Sequence, residues 1–132
     1  MDRRPLHRFS LIACLGVLVA CATAPTRVVD ARANGQRIAL KVGQEIDILL
    51  DEKPATGYNW DRVQGATKVL TPLGTPQFEP LLDPFRILGS GITTHRFRAI
   101  AAGDGTLEFV FRRPAELIAP GMPKLAFKIV VE

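Results

Sequence analysis

Cysteine, histidine, serine and tryptophan are all scarce in this 132-residue chain. Its two cysteines, Cys14 and Cys21, lie close to the N-terminus, and everything after them is cysteine-free. That excludes a disulfide framework for the rest of the chain, which must be held by a hydrophobic core. It also leaves no pair of Cys or His residues at metal-ligand spacing. Beyond residue 20, Ser90 is the only serine and His95 the only histidine. Long apolar runs are missing as well. The best candidate, Phe9–Ala20, falls short of the roughly 20 residues a membrane-spanning helix needs. The longest Lys/Arg run after residue 20 is Arg112-Arg113, with no basic stripe interleaved with aromatics. Nucleic-acid binding is therefore not expected.

What the N-terminus does have is a basic start, Arg3-Arg4 with Arg8, followed by that short apolar run. This is the pattern of an export signal. Leu18-Val19-Ala20-Cys21 resembles a bacterial lipobox, with Cys21 as the lipidated first residue of the mature chain. Leu11-Ile12-Ala13-Cys14 has too few apolar residues ahead of it for a signal core. The expected organisation is a lipoprotein signal peptide over residues 1–20 and a lipidated N-terminus with a flexible tether over 21–34. A single domain follows over 35–132. A lipid on Cys21 would hold the protein on a membrane without spanning it. Ala22 after the cysteine, rather than Asp, is compatible with the periplasmic face of an outer membrane. Loss of the leader removes Arg3, Arg4, Arg8 and Asp2 and lowers the formal charge from +4 to +2.

The remainder reads as all-β. Glu45–Asp51 alternates, with Ile46, Ile48 and Leu50 on one face. Thr93–Ile100 places His95, Phe97 and Ala99 together, and Thr106–Arg112 does the same with Leu107, Phe109 and Phe111. Lys124–Val131 turns Leu125, Phe127, Ile129 and Val131 inward. Arg37–Val42, Tyr58–Val63 and Ala66–Leu70 are shorter candidates. Period-two alternation broken by turn residues marks half-buried antiparallel strands. About seven such strands predict an immunoglobulin-like β-sandwich, with a small barrel as the alternative. Thr71–Gly91, with four prolines, and Arg113–Pro123, with three, are read as long loops.

Catalytic patterns are wanting. Gly89-Ser90-Gly91 is neither a Gly-x-Ser-x-Gly elbow nor a dinucleotide loop. No spacing supports a Ser90–His95 nucleophilic pair, and His95 is expected on a strand face. Glu45, Asp47, Asp51 and Glu52 are expected on a solvated face rather than around a cation. Neither enzyme activity, nor a metal, nor another cofactor is expected.

The most distinctive segment is Lys53-Pro54-Ala55-Thr56-Gly57-Tyr58-Asn59-Trp60, between two strands. Proline presets φ at its start and glycine permits φ > 0 at its end, which describes a stiff projecting loop. This segment, the later Gly89-Ser90-Gly91 and then Phe111-Arg112-Arg113-Pro114 resemble, in order, the three motifs of the chagasin family, inhibitors of papain-like cysteine peptidases. Those motifs read Asn-Pro-Thr-Thr-Gly-Tyr/Phe-x-Trp, Gly-x-Gly-Gly, and Arg-Pro followed by an aromatic. The resemblance implies an immunoglobulin-like sandwich whose three loops form a wedge at one end. Pro54, Ala55, Thr56, Gly57 and Tyr58 would enter the peptidase cleft, with Thr56 and Gly57 nearest its catalytic Cys and His. Gly89, Ser90 and Gly91 would lie on one wall, Arg113 and Pro114 on the other. Inhibition would be reversible and non-covalent, by a monomer. Lys53, Ala55, Ile92 and Ala115 depart from the motifs, which implies weaker inhibition or another target. The alternative is an envelope module that binds another protein or a cell-wall ligand through the same loops.

Overall fold

A computed structural model describes residues 23–63, 68–82 and 89–132. The signal peptide and Cys21 lie outside the described residues. So do residues 64–67 and 83–88, and with them the first two residues of the candidate strand Ala66–Leu70.

The described strands are β1 (Arg27–Asp30), β2 (Arg37–Leu40), β3 (Glu45–Glu52), β4 (Asn59–Arg62) and β5 (Leu70–Pro72). They continue with β6 (Gln77–Pro80), β7 (Gly91–Ala99), β8 (Gly103–Arg112) and β9 (Lys124–Val131). They form two sheets, as expected of a sandwich and not of a closed barrel. One has the order β1-β3-β7-β5, with β6 also on β7; the other has the order β2-β9-β8-β4. Ile46, Ile48 and Leu50 of β3 and Phe97 and Ala99 of β7 supply one inner face. Leu107 and Phe109 of β8 with Leu125, Phe127 and Ile129 of β9 supply the other. Burying one such large side chain stabilises the fold by about 1.5–3 kcal/mol, and Ile46, Ile48, Leu50 and Leu107 are wholly inaccessible, as are Phe109 and Phe127, which add the bulk of the centre. The outer face of the first sheet is charged instead. Asp47 and Glu45 stand opposite Arg96 and Arg98 in register and bind them at 2.7 and 2.6 Å.

Two expectations are corrected. Residues 27–33 do not form part of a tether. β1 runs parallel to β3, with Arg27 opposite Ile46 and Asp30 opposite Leu49. A 3-10 turn, Ala31–Ala33, follows it, N-capped by Asp30. Gln44 Nε2 donates to the Pro25 carbonyl at 2.7 Å, so fixed structure begins some ten residues before the expected boundary. The second correction concerns the long loop Thr71–Gly91. It contains the end of β5 and all of β6, which pair antiparallel with successive stretches of β7. Pro72 and Pro80 each end their strand, where a missing N–H costs little.

Candidate functional site

Four strand ends meet at one end of the sandwich. Glu52, the last residue of β3, is opposite Gly91, the first of β7. Asn59, the first of β4, is opposite Arg112, the last of β8. The segment 53–58 therefore crosses from one sheet to the other with the 89–90 and 113–116 segments beside it.

A bridge between Lys53 and Tyr58 closes the base of the central loop. Pro54–Thr56 makes one 3-10 turn with proline in its first position, and Gly57 ends it at φ 77° and ψ 0°. That is the left-handed region, where a side chain costs about 1–2 kcal/mol. The Thr56 and Gly57 N–H groups donate to the Lys53 and Pro54 carbonyls, each at 2.9 Å. Thr56 Oγ1 donates to the Lys53 carbonyl at 2.7 Å and accepts from the Tyr58 N–H at 3.4 Å. The tip thus satisfies its polar groups internally while Pro54, Ala55 and Thr56 stay exposed.

Aromatic packing supports the loop from below. Tyr58 stacks on Phe111 with centroids 5.4 Å apart, and Trp60 reaches the same ring at 5.0 Å. Trp60, partly buried, packs against the core. The Arg113 guanidinium lies over the Tyr58 ring at 4.7 Å, a contact worth about 0.5–1 kcal/mol when exposed. It fixes the third loop to the first. On the other side, a Cβ on Gly89 would stand 3.4 Å from that of Ala55. Ser90 is held by its carbonyl, which accepts from the Leu81 N–H at 3.0 Å.

Arg113, Pro114, Ala115 and Glu116 form a turn closed by the Glu116 N–H on the Arg113 carbonyl, at 3.1 Å. Proline stands second and Ala115, third, has φ 63°, a position where such a turn prefers glycine. The Glu116 carboxylate accepts from the Arg113 N–H at 3.0 Å. Arg112 reaches Asp61 at 2.9 Å and the Glu116 carbonyl at 2.6 Å.

Gly91 is the exception among the expected contact residues. It is buried inside β7, so it presents nothing to a partner. A Cβ there would collide with the Glu79 carbonyl and the Phe78 ring. Its glycine admits β6 onto β7. The other nine residues, Pro54, Ala55, Thr56, Gly57, Tyr58, Gly89, Ser90, Arg113 and Pro114, are brought to the same end.

Glu52 is the residue that sequence reasoning missed. Its carboxylate is buried, accepting from the Trp60 N–H at 2.8 Å and from Thr93 Oγ1 at 2.5 Å. It ties the two roots of the central loop to each other and to β7. The signal was present: Glu52 continues the inward series Ile46, Ile48, Leu50. Glu52→Ala leaves two donors without their acceptor and is expected to cost about 2 kcal/mol. Glu52→Gln should cost under about 1 kcal/mol, because its amide can accept from Trp60 and donate to Thr93. Urea unfolding of the two variants checks this; equal losses would mean that the carboxylate contributes through its charge.

Catalytic groups do not assemble. His95 faces the core with its ring edge-on to Phe109 at 4.8 Å. Its Nε2 meets no hydrogen-bond partner among the described residues, and so does not pair with Ser90. Among the described residues no cluster of three acidic, His or Cys side chains could hold a metal ion.

Residues 39–131 match the family model described as chagasin family peptidase inhibitor I42. Among solved structures, the cysteine protease inhibitor EhICP2 from Entamoeba histolytica superposes with a TM-score of 0.71 at 18% identity, covering 82% of this chain and 96% of that one. Amebosin gives 0.66 at 21% identity, over 83% and 100% of the two chains. The Leishmania mexicana ICP gives 0.57 at 27% identity, over 75% and 90%. By sequence comparison alone no curated protein matches the chain.

Proposed function

The chain belongs to the chagasin family of peptidase inhibitors, and we propose that it inhibits papain-like cysteine peptidases reversibly and without a covalent bond. Membership sets it among inhibitors and not among enzymes. The observation that carries the finer reading is the convergence of all three loops on one end, with Ala55 beside Gly89 and Tyr58 beneath Arg113.

A cleft is blocked by shape, and the central loop is small where shape matters. Thr56 and Gly57 end its 3-10 turn, and Gly57 has no side chain to hold a partner's backbone away. No step of bond formation is needed, since the Thr56 hydroxyl is already engaged with the Lys53 carbonyl. Because the loop is folded before it docks, association avoids an ordering cost of about 0.5–1.5 kcal/mol for each side chain that would otherwise be immobilised. Gly89-Ser90 would rest on one wall of the cleft and Arg113-Pro114 on the other.

Titration of the purified protein against papain and a cathepsin-L-like peptidase tests the proposal. Inhibition should be competitive with substrate, reversed on dilution, and leave no adduct by mass spectrometry. Full peptidase activity at micromolar inhibitor would overturn it.

A further inference from the structure

Leu82 and Leu117 are the most exposed large apolar side chains among the described residues, at 94% and 86%. Both stand at the end that carries the three loops. Leu82 follows Leu81, whose N–H holds Ser90. Leu117 follows Glu116, which closes the Arg113 turn. At the opposite end Val42 and Ile100 expose only about half of their surface, 53% and 52%.

Single exposed apolar residues are ordinary on a protein surface. Leu117 differs in how its backbone is held. Glu116, immediately before it, is fixed three times: through its N–H to Arg113, through its carboxylate to the Arg113 N–H, and through its carbonyl to Arg112. Further on, the Phe111 N–H donates to the Pro123 carbonyl at 2.9 Å and returns the segment to the sheet. An apolar side chain presented on so fixed a base gives up little freedom when it docks. Next to it Ile118 is 49% exposed. Ala115, nearer the tip, offers only a methyl group, so Leu117 is the most exposed large apolar side chain on this flank.

Resting on the inhibitory reading above, we propose that Leu117, with Ile118 beside it, is an apolar anchor that packs on the wall of the peptidase cleft contacted by Arg113. The position is continuous with the wedge through Glu116 and Arg113. The preferred peptidase would therefore carry an apolar recess on that wall, filled by an aliphatic side chain. A large side chain buried in such a recess commonly dominates the energy of an interface.

Inhibition constants of wild type, Leu117→Asp, Leu117→Ala and the remote control Val42→Asp would be measured on one papain-like peptidase, with melting temperatures alongside. Leu117→Asp should weaken inhibition by about tenfold or more, Leu117→Ala by less, and Val42→Asp not at all. Melting temperatures should be unchanged, since Leu117 contributes little to the core. If the wild type inhibits and Leu117→Asp stays within twofold of it, the anchor is refuted while the inhibitory function stands. If the wild type does not inhibit, the function itself fails and the anchor with it. Loss of a wild-type dimer in Leu117→Asp, with inhibition unchanged, would assign the patch to a second copy and also refute the anchor.

Discussion

Acidification from pH 7 to pH 4 is expected to cost the wild-type fold about 3 kcal/mol more than it costs a His95→Leu variant. Burial deprives the imidazolium of hydration, and the Arg62 guanidinium opposes it. Together these lower His95 from its ordinary value near 6.5 to about 4, against a contrary pull from Asp61. A histidine held neutral in the fold binds its proton more readily when the chain is unfolded. Its contribution is complete above about pH 6.5, declines by roughly 1.4 kcal/mol per pH unit below that, and levels off under pH 4. Other groups will titrate in the same range, so the difference between the two urea-unfolding curves is the informative quantity. The stability of wild type relative to the variant should fall steadily with pH below about 6.5. Parallel curves would mean that the ring accepts its proton in the folded state.

The second large effect concerns inhibition. Thr56→Arg combined with Gly57→Glu should weaken binding to a papain-like peptidase by more than about a hundredfold, the scale of losing a central contact. The arginine adds bulk at the exposed tip and removes the hydroxyl that bonds the Lys53 carbonyl. The glutamate adds bulk and charge at φ 77°. Strain there costs the fold only about 1–2 kcal/mol, so the melting temperature should fall by a few degrees while inhibition is lost. Potency within threefold of wild type would show that the central loop does not enter the cleft.

The strands that could be read in advance are those whose inner faces repeat every second residue. β3, β7, β8 and β9 each place a continuous apolar series in the core, and their periodicity survives in one dimension. β1 has no such series. Its residues are exposed or half-buried, and backbone pairing with β3 holds it, which side-chain pattern does not record. β6 hides behind its prolines because it is an edge strand, where the rule against proline does not apply. The loop tips were legible because proline and glycine announce their backbone angles. Their supports were less so. By composition Glu52 belongs with its acidic neighbours, but its place in the inward alternation separates it from them. Gly91 resembles a contact residue because a glycine needed to admit a neighbouring strand looks, in sequence, like one needed at a tip. Sequence order put three motifs on one chain; only the pairings Glu52–Gly91 and Asn59–Arg112 put them on one surface.

The direction of β1 gives the molecule a handle and a point. Because β1 lies parallel to β3, the chain enters the fold beside Glu45, and β3 then carries it toward Glu52 and the loop tip. At about 3.3 Å per residue, the eight residues of β3 set these ends some 25 Å apart. Pro25, held by Gln44, therefore lies at the blunt end. The base of the domain, where β1 begins, and the tip at the central loop are thus opposite ends of the molecule.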